Sequence, residues 1–137
     1  MSDPAGYVRF QSPDPNPRGS FPGVFALVNG LAARGKLTPE QERFRRATND
    51  WYDAAYPDPA ATDPSVYDHE ANPGTAAWFK TAALPLIGRV DGYLEILADH
   101  GVACVRLESA DPPGRILYED EYQIVVAPRP PDGDRAV

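Results

Sequence analysis

Hydrophobic and polar positions alternate from Tyr7 to Gln11, with Val8 and Phe10 on one side and Tyr7, Arg9 and Gln11 on the other, which predicts a short strand. The stretch SPDPNPRGS that follows carries three prolines and reads as a loop. The period then changes. Val24, Leu27, Val28 and Leu31 recur at helical spacing, Ser20 is placed to cap the helix, Pro22 suits its first turn, and Gly35 stands where a left-handed C-terminal residue is expected. Thr38-Pro39-Glu40-Gln41 has the form of a capping box and predicts a second helix to about Ala55, stopped by Tyr56-Pro57. Phe44, Ala47, Trp51 and Ala54 share a face of it, so Trp51 is expected in the core.

Residues 57–73, PDPAATDPSVYDHEANP, show no period and carry Asp58, Asp63, Asp68 and Glu70 with no Lys or Arg. Structureless loops of this length are commonly functional or disordered. Val66 and Tyr67 supply apolar anchors and favour an ordered one. Asn72-Pro73-Gly74 predicts a turn and Thr75 a cap. Ala76, Ala77, Trp78, Phe79, Ala82 and Ala83 then read as the start of a third helix, interrupted at Pro85. The stripe resumes through Ile87, Val90, Leu94 and Leu97 and ends at Gly101, with Leu94 expected in the core. VACVRLE, RILY and YQIVVAP, separated by DPPG and by Glu119-Asp120-Glu121, predict three strands in an antiparallel meander, joined by strand 7–11.

These elements predict one two-layer α+β domain over residues 1–128. Its antiparallel sheet has about four strands, one N-terminal and three C-terminal, covered on one face by three to four helices, with the other face partly wet. Residues 129–137, rich in Pro, Asp and Arg, are expected to be a disordered tail.

Composition narrows the function. A net charge of -7 opposes binding to nucleic acid. The one basic cluster, Arg43-Phe44-Arg45-Arg46, is interleaved with Glu40, Glu42 and Asp50 and reads as a salt-bridged helix face. A lone Cys104 excludes an intrachain disulfide and a paired-cysteine metal or redox site, and its apolar neighbours make it a small core residue. No stretch approaches the ~18 apolar residues of a membrane helix, so the expectation is a cytoplasmic protein that does not engage membranes.

Four constellations carry candidate chemistry. Asp68-His69-Glu70 places a histidine between carboxylates. An ordered polar loop, general acid–base work by His69 and a metal site are the three readings, and the third lacks a second histidine at helical spacing. Glu119-Asp120-Glu121 can raise a carboxyl pKa by mutual repulsion, or form a solvated turn or an acidic sheet edge, with Glu119 and Glu121 as the catalytic candidates. Arg9 can hold a carboxylate or phosphate in a fork, or pair with Glu119 or Glu121 across the sheet. Among the aromatics, Tyr52, Tyr56, Tyr67 and Trp78 can border the acidic loop and suit a cationic group, while core packing claims most of the set. There is no phosphate-binding glycine loop, no nucleophile elbow and no Ser–His–Asp spacing.

The blocks YVRFQSP, GVFALVNGLA, LTPEQERFRRATNDWYDAAYPDP, NPGTAAWFK, VDGYLEIL and YEDEYQIVV together resemble a small protein family of high-GC actinobacteria of the Streptomyces type, over most of residues 7–128. The resemblance implies no activity, cofactor or catalytic residue. The residues themselves lead to an acidic binding or accessory protein, regulatory in role, that recognises a basic protein partner or a cationic ligand and needs no cofactor or metal. The alternative is a small cofactor-independent enzyme or a small-molecule sensor whose cleft uses Arg9, His69 and the carboxylates.

Overall fold

The computed structural model describes residues 6–17, 19–55, 58–67, 72 and 74–128. In chain order the elements are β1 (Tyr7–Gln11), α1 (Val24–Ala33), α2 (Pro39–Ala55), α3 (Pro59–Thr62), β2 (Ala76–Lys80), α4 (Leu84–Gly88), α5 (Val90–Asp99), β3 (Val105–Ser109), β4 (Arg115–Glu119) and β5 (Gln123–Ala127). The five strands form one antiparallel sheet in the order β3-β1-β2-β5-β4, and the class is α+β as the sequence predicts.

The helix signals act as expected where they are local. Thr38 and Gln41 close the capping box, each side chain accepting from the other's backbone N–H at 3.1 and 3.0 Å. Gly35 and Gly101 take positive φ, and Lys36 and Val102 donate back to Leu31 and Leu97, so both helix ends close in the same six-residue turn. Ser20 does not cap α1. It and Asn16 bond to each other across the preceding loop, and the cap position falls to Gly23, which has no side chain to offer.

Within the sheet, the structure departs from the sequence expectation at two places. Residues 76–80 are not helical: they are β2, between β1 and β5 inside the sheet. Ala-rich AAWFK has helical propensity, but a short apolar run does not distinguish a buried strand from a helix. Here both faces are used, with Phe79 in the helix-side core and Trp78 in a second cluster on the opposite face. The C-terminal strands also make no three-strand meander. β4 and β5 form a hairpin, while β3 pairs with β1 at the far edge.

The helix-side core joins Val8, Phe10 and Phe79 of the sheet to Val24, Val28 and Leu31 of α1, Tyr52 of α2, and Val90, Tyr93, Ile96 and Leu97 of α5. On α2 the buried positions are Thr48 and Tyr52, one residue round from the predicted face. Trp51 is half-buried instead, packed at the core's margin with the Arg89 guanidinium 3.9 Å from its ring centre. Leu94 is likewise half-buried, and Tyr93 beside it is fully buried. A polar chain ties three helices: the Tyr93 hydroxyl donates to Asn49, Asn49 and Arg45 donate to Asn29, and Arg45 and Arg46 grip Glu42 at 2.7 Å. The basic cluster of the sequence is therefore a salt-bridged helix face.

The second sheet face is drier than expected. Ile124 is fully buried there and Trp78 and Val126 nearly so, beside Tyr7, Ala76 and Leu107, all of them strand residues. The connection at 110–114 explains this. It joins the two edge strands, β3 and β4, in five residues, a reach of about 20 Å. Four strand spacings across a flat sheet use about 19 Å, before the return along the strand is counted. The sheet must therefore curl, and its concave face closes on the Trp78 ring.

Two substitutions test this packing. A Cβ on Gly92 of α5 would lie 2.2 Å from the Phe44 ring, itself held edge-on by Tyr93. Helix propensity alone favours alanine by about 1 kcal/mol, whereas overpacking costs about 1–3 kcal/mol. Gly92→Ala is thus expected to lower the midpoint of denaturant unfolding, and a raised midpoint would place Phe44 elsewhere. Hydrogen bonds from Arg45 and then Arg46 hold the Glu42 carboxyl down at about 2. Because its folded value lies below the ordinary 4.5, its contribution to stability is present above about 4.5 and is lost as pH falls to about 2. Glu42→Gln is expected to lower the melting temperature at pH 7 and to lower it much less near pH 2, as thermal scans across that window will show.

Candidate functional site

β1 pairs with β3 along its whole length but with β2 only at Tyr7–Lys80 and Val8–Phe79. Beyond that point the strands part. Continued register would set Arg9 opposite Trp78, but the Arg9 side chain enters the gap instead. Its Nη1 donates to the Ala77 carbonyl at 3.0 Å, its Nη2 to the Phe21 carbonyl at 2.8 Å, and its Nε to the Gln11 side chain at 2.6 Å. A guanidinium thus serves carbonyls that a continued ladder would have served.

The parting strands open a cavity of about 510 Å3. Its walls are mostly apolar: Phe10, Trp78 and Phe79 from the sheet, Val24 and Phe25 from the start of α1, and Tyr52 from the end of α2. The Tyr52 hydroxyl is committed to the Leu86 carbonyl, so this residue presents ring surface to the space. Arg9, Gln123, Tyr67, Asp53 and Asp58 bring the polar groups.

Charge is distributed unevenly around this space. Burial pushes the Arg9 guanidinium down from the ordinary arginine value, though such a group stays protonated in proteins. It packs on the backbone at Gly23, where a Cβ would come within 3.3 Å of Nη2. Gly23 is the cap residue of α1, so the guanidinium sits at the uncapped, partially positive end of that helix. Among the described residues no ion pair involves Arg9. Asp58 lines the cavity, but its carboxylate accepts from the Ala60 backbone N–H and caps α3. Burial first, and then Asp58, push the Tyr67 hydroxyl up to about 12, although the residue as a whole is 42% exposed.

The cavity gathers Arg9, Tyr52, Tyr67 and Trp78 from the sequence candidates. Tyr56, Asp68, His69 and Glu70 lie outside the described residues, as does the 129–137 tail. Glu119 and Glu121 do not line the cavity. Glu119 pairs with Lys80 at 2.7 Å, which replaces the pairing with Arg9 considered from sequence, and Glu121 is exposed in the β4–β5 turn. The structural acid of that triplet is Asp120. It accepts from the backbone N–H groups of Tyr122 and Gln123 and from the side chains of Tyr118 and Gln123. Gln123, at the head of β5, is buried. Cys104 is half-buried against the helix-side core, where burial pushes its thiol up.

Sequence reading missed Gln123, Asp53, Asp58 and Gly23 as lining residues. Gln123 left a signal, being the one polar residue at the head of an apolar strand. Gly23 left another, a glycine directly before a helical stripe. Among the described residues no three potential ligands come together in a metal-binding arrangement, and no helix is long and apolar enough to cross a membrane. Comparison of the chain with family models, with curated proteins and with solved structures finds no match.

The Tyr67 environment is directly measurable. With its folded value raised above the ordinary 10, stability is full below about 10 and falls as pH rises toward about 12. The ultraviolet phenolate titration of the native protein minus that of Tyr67→Phe should show one tyrosine ionising near 12, and a difference curve centred near the free value of about 10 would show that the hydroxyl is solvated.

Proposed function

We propose that this protein is a small-molecule-binding domain whose ligand occupies the gap between β1 and β2. The observation that carries the reading is the cavity of about 510 Å3 with aromatic walls and a few convergent polar groups. Ligand pockets commonly hold about 300–1,000 Å3 and have this mixed lining. A sensor or carrier role fits better than catalysis. Of the carboxylates considered for acid–base work, Glu119 is tied to Lys80 and Glu121 stands in the hairpin turn, so neither shares the cavity with Arg9. Tyr67, with its raised hydroxyl value, offers a hydrogen-bond donor at neutral pH rather than a base. The cytoplasm is the compartment we assign to this role. A regulatory task on a basic protein partner is compatible with the net charge of -7, with ligand occupancy as its input.

The reading is tested with a neutral apolar fluorophore, N-phenyl-1-naphthylamine. Ala77 lines the cavity, and Ala77→Phe puts a ring into that space at a strand position that tolerates aromatics. The native protein is expected to enhance the probe's fluorescence, and the filled variant to lose the enhancement while keeping a cooperative melt. Equal enhancement by a folded Ala77→Phe protein, or none by the native one, would overturn the proposal.

A further inference from the structure

We infer that the ligand of this cavity is an organic anion, a flat apolar body carrying one carboxylate, with the carboxylate held between the Arg9 guanidinium and the start of α1. The inference rests on the small-molecule reading above and adds the sign and position of the ligand's charge.

Three N–H groups of Arg9 have partners, on Gln11, Ala77 and Phe21. All three acceptors are neutral, and a guanidinium carries five donors. Arg9 is partly buried, and a charge partly withdrawn from water is stabilised by an opposite charge beside it. Neither cavity acid supplies that pairing: Asp53 and Asp58 both line the space and neither forms an ion pair with Arg9. Asp58 is already engaged at the α3 cap.

A second positive feature adds to the first. Gly23 leaves α1 without a side-chain cap, and Val24 and Phe25 of its first turn line the same cavity. The guanidinium stands against that end, with Nη2 3.3 Å from the position of a Gly23 Cβ. Two like-signed groups pressed together repel unless something negative lies between or beside them. A carboxylate does this with a two-pronged hydrogen bond to the guanidinium fork. The cavity walls formed by Phe10, Phe25, Tyr52, Trp78 and Phe79 favour a flat apolar body, and the two lining carboxylates, Asp53 and Asp58, are solvent-exposed. The sequence-based expectation of a cationic ligand took its sign from the net charge and from aromatics beside the acidic loop, whereas the least exposed charge lining the cavity is Arg9.

The test uses three probes of one shape, 2-naphthoate, 2-naphthamide and 2-naphthylmethylamine, titrated calorimetrically into the full chain at pH 7. The anion is expected to bind about tenfold or more tightly than the amide, and the amine most weakly. Arg9→Met is expected to bring naphthoate down to the level of the amide while amide binding persists. Arg9→Lys, which keeps the charge and loses the fork, should fall between them. Melts show whether each variant folds. If Arg9→Met does not, the native ranking and Arg9→Lys decide. Equal binding of acid and amide would overturn the charge assignment and leave the cavity reading standing, and preference for the amine would restore the cationic ligand. No binding by any of the three probes would overturn the anion assignment, and no response to the neutral fluorophore as well would overturn the cavity reading with it.

Discussion

The Arg9 guanidinium occupies the place where β1 and β2 stop pairing, and much of the molecule is arranged around that substitution. Strand β1 is fully paired with β3 but leaves β2 after two residue pairs. A parting of strands inside a sheet exposes backbone carbonyls that must find donors. Arg9 serves the Ala77 carbonyl from one side of the gap and the Phe21 carbonyl from the segment leading into α1. One side chain therefore bridges β2 and the segment that leads into α1. Gly23 belongs to the same device, because any larger residue there would press on the guanidinium.

The curl of the sheet is the complementary constraint. The edge strands are joined through only five residues, 110–114, so the sheet cannot lie flat. Its concave side encloses Trp78, Ile124 and Val126, while the convex side carries the helices. β1 and β2 separate after two residue pairs, and the cavity lies there. Function is thus proposed at the point where regular structure yields, among the sheet, the start of α1 and the end of α2, with Asp58, Pro59 and Tyr67 of the connecting segment completing the lining.

Acidity plays a different part from the one the net charge suggests. Glu42 is tied to Arg45 and Arg46, Glu119 to Lys80, Asp58 to the α3 cap, and Asp120 to the β4–β5 turn. These carboxylates hold local structure together. The enclosed group without an acidic partner among the described residues is a cation. A net charge sums over the surface and says little about the sign inside a cavity, where desolvation magnifies each single charge.

What the sequence by itself determined was local. The Thr38–Gln41 box, the glycine stops at Gly35 and Gly101, the apolar stripe of α1 and the alternation of Tyr7–Gln11 depend on neighbours within about one helical turn or one strand pleat, so the chain displays them directly. The α+β class followed from their order. Tertiary structure decided the rest. Ala76–Lys80 became a strand because β1 and β5 offered it hydrogen bonds on both sides, which no propensity within AAWFK reveals. The turn of α2 that buries Tyr52 and leaves Trp51 at the margin was set by what α1 and α5 present to it. The candidate site was half legible: Arg9, Tyr52, Tyr67 and Trp78 could be singled out as polar or aromatic residues in unusual company. Their convergence could not, because it depends on where β1 and β2 part, and pairing between residues about seventy positions apart is a contest among all the strands at once.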